Sequence, residues 1–266
     1  MFIGSAPSRA RFLFPKVRPM PIHTAQSASS GVFITFEGGE GAGKSTHIAI
    51  LARVLERLGH EVLRLREPGG TSVGEALRAV VLDPDREEMC GLSELFVFEA
   101  SRAQLVSQVI APALERGAVV LCDRFIDSTT AYQAYGRGID LDAVRFLNLL
   151  ACQGTLPART ILMQAADAHA GLARATTLGA DRMEQASDRF HARVAQGFDA
   201  LAACEPERFR AVSSAGSVED TAVQVVASVS DLFNVDEQAL LSMLSEVLVE
   251  AAASAPSACP CEASHA

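Results

Sequence analysis

Lysine is nearly missing from this chain of 266 residues: Lys16 and Lys44 are the only two, and the rest of its 23 basic residues are arginine. A GC-rich coding bias accounts for such an excess, so the arginines as a group carry no functional message. The scarcity does exclude a guanine-reading N-K-x-D string, which occurs nowhere in the sequence. Also missing is any run of about 18 apolar residues, so no membrane-spanning helix is expected. None of the six cysteines (Cys90, Cys122, Cys152, Cys204, Cys259 and Cys261) forms a C-x-x-C pair. With no secretory leader in view, this pattern predicts a reduced, cytoplasmic protein. Cys259-Pro-Cys261 is read as a free pair in a tail rather than as a metal site. Positive charge is short overall: the formal net charge is -9, which argues against general nucleic-acid binding. The histidines form no constellation of the kind that activates a serine or cysteine nucleophile.

What is present suits one large α/β domain. The hydrophobic share is 49% and the charged share 21%, enough for a sizeable core. Residues 1–30 read as a disordered extension holding Arg9, Arg11, Lys16 and Arg18 and no acidic residue, with Met20 a candidate start. Apolar runs at Val32–Phe36, Val62–Leu65, Ala118–Cys122, Thr160–Met163 and Phe209–Val212 read as buried strands. Between them, helical spacing is found after residue 45 (Ile48, Leu51, Leu55, Leu58), over 72–82, over 92–116 with a bend at Pro112, near 127–135, over 141–151, and from Val218 to Leu232. Alternating strands and helices predict a three-layer fold, a five-stranded parallel sheet with helices on both faces. The domain is expected to span 31–234. Beyond it, 235–266 reads as an extension with one helical pattern (Leu240, Leu244, Val247, Ala251) and a disordered end.

Gly38-Gly39-Glu40-Gly41-Ala42-Gly43-Lys44-Ser45, followed by Thr46, fits G-x-x-x-x-G-K-[ST] between a predicted strand and a predicted helix. Glycines let backbone N–H groups converge on phosphate oxygens, and the helix N-terminus adds positive potential. Lys44 offers a compact charge to the β- and γ-phosphates and Ser45 a hydroxyl to Mg²⁺. Asp123, at the end of a wholly apolar strand, is placed to orient that ion, with a helix N-cap as the alternative. The pattern specifies a P-loop nucleotide-binding fold, and the length leaves small kinases as the candidates.

Four further strings narrow the choice. They are Arg66-Glu67-Pro68-Gly69-Gly70-Thr71 with Gly74-Glu75; Phe98, Arg102 and Gln104; Asp123-Arg124-Phe125 with Ser128, Ala131-Tyr132-Gln133 and Gly136-Arg137-Gly138; and Asp181-Arg182-Met183-Glu184. In order and spacing they resemble the motifs of the thymidylate kinase family from Val32 to about Leu232. The resemblance implies transfer of the ATP γ-phosphoryl group to dTMP with Mg²⁺, and a homodimer. It further implies that Arg66 and Arg124 hold the acceptor phosphate, that Phe98 stacks on thymine and Arg102 reads it, and that Glu40 faces the 3′-hydroxyl. Ser128, Tyr132 and Gln133 would line the same pocket. A phosphate monoester is already largely dianionic at neutral pH, with its second pKa near ~6, so alignment and charge suffice and no side-chain base is needed.

The sequence also departs from the family pattern. Between Leu172 and Ala180, where a lid arginine is expected, only Arg174 is present. Either Arg174 or Arg182 must supply that charge, or turnover is slow. Ala158-Arg159 stands where P-D-hydrophobic-T is usual, and residues 212–214 lack the usual Asp before Ala215. Two alternatives therefore stay open: a catalytically weakened nucleotide-binding protein of this fold, and a kinase acting on another pyrimidine monophosphate.

Overall fold

Short apolar runs bounded by turns become the strands of a single parallel sheet. The structure, a computed structural model, describes residues 31–165 and 181–254. Its strands are β1 (Val32–Glu37), β2 (Val62–Arg66), β3 (Val119–Asp123), β4 (Arg159–Gln164) and β5 (Phe209–Ser213). They lie in the order β2-β3-β1-β4-β5, every neighbouring pair parallel. β1 and β3 are buried on both faces, which is why they read as continuous apolar runs rather than alternating ones. The chain builds outward from β1 in both directions, and such a switch point opens a crevice beyond the carboxyl ends of the strands. The register sets Arg66 opposite Asp123 and Asp123 opposite Phe36, one residue before Glu37.

The helices are α1 (Lys44–Arg57), α2 (Ser72–Val81), α3 (Gly91–Leu105), α4 (Ala111–Glu115), α5 (Ile126–Thr129), α6 (Leu141–Cys152), α7 (Asp188–Cys204), α8 (Val218–Ala227) and α9 (Glu237–Ser254). Ile48, Leu51 and Leu55 of α1 bury against Ile34, Phe36 and Leu121 of the sheet and Val225 of α8. On the other face, Leu105 and Ile110 bury against Phe33, Val120 and Phe125. α7 closes a third cluster, with Phe190, Val194, Phe198 and Leu201 around Tyr132 and Leu162.

Three expectations change in detail. The helix expected over 92–116 is interrupted by a π-helical stretch, Val106–Ile110, before α4. That widened turn puts Pro112 in the first turn of α4, where its missing N–H leaves no bond unmade. The helix near 127–135 is α5 running into a second π stretch, Thr130–Gly136. The pattern from Val218 to Leu232 breaks after Ala227 into a short 3₁₀ turn, Ser230–Leu232. The sequence reading assigned no element to 188–204, where α7 stands with Ser187 as its N-cap.

α9 is not a free arm. Leu240, Leu244 and Val247 are buried in the α1 cluster, each contributing about 1.5–3 kcal/mol by burial. Arg53 and Arg57 of α1 reach Glu246 and Glu250, but exposed pairs add little. The approach to α9 is also anchored. Phe233 is buried with its ring 5.2 Å from His60, and buried Arg159 at the start of β4 pairs with Asp231 at 2.6 Å. The Arg that departs from the family pattern thus ties this extra segment to the sheet.

Candidate active site

The loop between β1 and α1 is shaped by its glycines. Gly38, Gly41 and Gly43 have φ of 123°, 66° and 87°, a region that side chains disfavour. At Gly38 a Cβ would also sit 2.3 Å from the Met163 carbonyl oxygen, so β4 presses directly on the loop. Lys44 folds back, its Nζ donating to the Gly39 carbonyl at 2.7 Å and the Gly38 carbonyl at 3.2 Å. Burial, aided by neighbouring Arg124, lowers its pKa to about 8. Ser45 Oγ donates to Asp123 Oδ2 at 3.1 Å, while Asp123 Oδ1 is buried with no partner. Behind the loop His47 spans two carbonyls, Nδ1 at 2.8 Å from Gly43 O and Nε2 at 3.3 Å from Val218 O.

Across the cleft stands Arg124, whose φ of 69° is left-handed; for a residue with a side chain this costs about 1–2 kcal/mol. The turn aims its guanidinium back over the loop. Nη1 donates to Gly38 O at 3.0 Å and Ser128 Oγ at 3.1 Å, and Nη2 pairs with Glu40. The guanidinium also lies 5.3 Å from the Tyr132 ring centroid. Burial works against charge on Glu40, but Arg124 and Lys44 prevail and hold its pKa below the ordinary value. Glu37 supports this corner from below, accepting from Phe125 N at 2.8 Å and Ser128 Oγ at 2.5 Å. Burial, with Asp127 nearby, pushes its carboxyl up to about 8.

The cleft has a volume of about 420 Å³. From the predicted residues it brings together Glu40, Gly41, Ala42, Gly43, Lys44, Ser45 and Thr46 on one wall, and Arg66, Phe98, Arg102, Asp123, Arg124, Ser128, Tyr132 and Gln133 on the others. Gly38 and Gly39 lie beneath, offering carbonyls to Lys44. Arg174 falls outside the described residues. Arg182 is not available in its place: it pairs with buried Glu94 at 2.6 Å and donates to Val81 O at 3.0 Å.

Arg102 is more tightly held than its expected role implies. Its Nε and Nη2 donate to Glu67, Nη1 to Glu99 and Asn148, and Nη2 also to Thr129. These bonds use all five N–H groups of the guanidinium, so it borders the cleft with its donors engaged. Gln133 Nε2 likewise donates to Glu94 at 2.8 Å. Sequence reasoning missed other lining residues: Arg78 and Leu82 on and after α2, Thr129 of α5, and Met183. A weak signal existed for Arg78, three residues after the Glu75 that pairs with Arg66 and so on the same helical face.

Comparison with known proteins agrees with this geometry. A family profile for thymidylate kinase matches residues 36–225. A thymidylate kinase of Synechococcus sp. (strain JA-3-3Ab) is 49% identical over 194 residues, covering 73% of this chain and 93% of that protein. The thymidylate kinase of Deinococcus radiodurans is 47% identical over 204 residues, covering 76% and 98%. Among solved structures, thymidylate kinase from Ehrlichia chaffeensis superposes with a TM-score of 0.62 at 31% identity, covering 76% of this chain and 99% of that one. With its phosphate loop, its paired strand ends and these relatives in agreement, the chain belongs to the thymidylate kinase family.

Proposed function

We propose that this chain transfers the γ-phosphoryl group of ATP to the phosphate of dTMP, giving ADP and dTDP for dTTP synthesis. The observation that carries the reading is that the phosphate loop and a set of arginines open into one cleft, Lys44 on one wall and Arg66 and Arg124 on another. Two anions that repel in water are there held by fixed positive charge. Backbone N–H groups of 38–45 and Lys44 grip the donor triphosphate. Arg66 and Arg124 hold the acceptor, Phe98 stacks on its base, and Ser128, Tyr132 and Gln133 shape the far wall. Glu40, now paired with Arg124, exchanges that partner for the sugar hydroxyl when substrate enters. The dianionic acceptor is the nucleophile, so alignment is the main task of the site.

The residues present suit Mg²⁺ arriving with ATP. Ser45 Oγ and the unpartnered buried Oδ1 of Asp123 face one another's neighbourhood, and Mg²⁺ commonly takes one or two such groups plus phosphate oxygens and water. When bound, the ion neutralises charge on the β- and γ-phosphate oxygens.

We place the reaction in the cytoplasm. No helix among the described residues is long and apolar enough to cross a membrane. A homodimer is supported by the apolar side chains that α3 and α6 leave exposed, Leu92 and Phe96 on one and Phe146, Leu149 and Leu150 on the other. Such a contiguous patch is unusual on a monomer. The test is a coupled assay of ADP release with dTMP, dUMP, dCMP and dGMP in turn. The reading expects the highest kcat/KM with dTMP. Turnover that prefers a purine, or none with any acceptor, would overturn it.

A further inference from the structure

Two guanidinium groups in the cleft converge on one carbonyl oxygen. Arg78 Nη1 donates to Pro68 O at 2.9 Å and Arg66 Nη1 donates to the same atom at 3.2 Å. Arg66 is further held through Nη2 by Glu75 Oε2 at 3.0 Å, and Glu75 is itself fixed by the Gly70 N–H at 2.8 Å. For Arg78 the Pro68 bond stands alone. Placing two like charges side by side in a partly buried corner is unfavourable unless something compensates them. One carboxylate, Glu75, serves the pair, which leaves a net positive charge facing the cleft.

Arg102 shows what an arginine in a purely structural role looks like in the same molecule. It is fully buried, its N–H groups are all taken, and it is ion-paired to Glu67 and Glu99. Arg78 is the reverse. It is half-buried, beside another cation, and most of its donors have no protein acceptor. Burial and Arg66 together push its pKa below the ordinary arginine value, as expected for a cation waiting for an anion, although it stays charged at any physiological pH.

We propose that Arg78 is a substrate-binding residue that works with Arg66 as a two-armed clamp on the phosphate dianion of the nucleoside monophosphate acceptor. The Pro68 carbonyl holds the two guanidinium planes at a fixed separation while the site is empty of substrate. An incoming phosphate then accepts from the Nη groups that the carbonyl leaves unused. α2 thereby becomes part of the acceptor site through Arg78, and the clamp supplies positive charge that does not depend on the lid segment. This inference rests on the acceptor reading of the cleft given above.

The test compares dTMP with thymidine, which carries the same base and sugar and no phosphate. In Arg78→Gln, KM for dTMP should rise by about tenfold or more, as expected for loss of a hydrogen bond between charged groups. The inhibition constant of thymidine competing with dTMP, and KM for ATP, should both stay within about twofold. Arg78→Lys should recover part of the loss, because it keeps the charge without the fork. A fold defect would weaken dTMP and thymidine alike, so equal losses for the two ligands would assign Arg78 a structural role and overturn the proposal. An unchanged KM for dTMP would overturn it too. Failure of the underlying reading looks different, since the unmodified enzyme would then show no turnover with dTMP at all.

Discussion

The two walls of the cleft are built in contrasting ways. The donor wall is one contiguous stretch, residues 38–45, whose shape comes from glycines and backbone dihedrals and whose one side-chain charge is Lys44. The acceptor wall is gathered from β2, α2, α3, the end of β3 and α5, and works through side chains, chiefly guanidinium groups. A wall of backbone is specified locally and tolerates little. A wall of side chains is specified only when several elements pack in the right register, and its parts can be changed one at a time. The two meet at Glu37, which ends β1 just before the donor loop and holds Ser128 and Phe125 on the acceptor side.

Variants can break this comparison in graded steps. The largest effect is expected for Lys44→Ala, with kcat lowered by roughly 10²–10³-fold, the usual cost of one donor at a developing charge. Calorimetry should still detect dTMP binding to that variant; loss of both ligands would mean that the walls are not separable. Next is Leu244→Ala, which removes a buried contact behind α1 and should lower stability by about 2–5 kcal/mol in urea denaturation. An unfolding midpoint equal to the parent's would mean that α9 is not part of the fold's core. Phe98→Ala should weaken dTMP by about 1–3 kcal/mol, the range for a base stacked on an aromatic ring. KM for ATP should be unmoved, and a rise in it would show that the ring supports the fold instead.

The smallest effect is expected at the seam. Glu37 keeps its proton in the folded state up to about pH 8, while in the unfolded chain it ionises at the ordinary carboxylate value. Between those two limits the folded state binds more protons, so this group's contribution to stability is present at low pH and is lost as pH rises through about 8. Glu37→Gln should therefore flatten the fall in unfolding free energy between about pH 5 and pH 9, by roughly 1–2 kcal/mol once the effect is shared with Asp127. An identical slope in parent and variant would show that Glu37 titrates normally.

The same contrast explains what could be read in advance. All five strands were legible because buried parallel strands are uninterrupted apolar runs, and the donor loop because its spacing is local. α7 was equally available in principle, since Phe190, Val194, Phe198 and Leu201 repeat at helical spacing, but weak apolar density between them hid it. The π stretches left no sign, because an i→i+5 turn has no sequence period of its own. Arg102 was read as a free donor because its four partners come from the turn after β2, α3, α5 and α6. No local pattern states that they converge. Arg78 was overlooked for the same reason, as the Pro68 oxygen it shares with Arg66 is ten residues away in sequence.

Arg124 carries a consequence for how this site can vary. Its left-handed backbone would be most comfortable with Gly, Asn or Asp, none of which bears a cation. The chemistry of the cleft asks for a long guanidinium that reaches Gly38, Glu40 and Ser128 together. Backbone and side chain therefore vote for different residues, and no single replacement can satisfy both. Mutational scanning should find this position intolerant in an unusual way, with substitutions that relax the main chain being as inactive as those that preserve its strain.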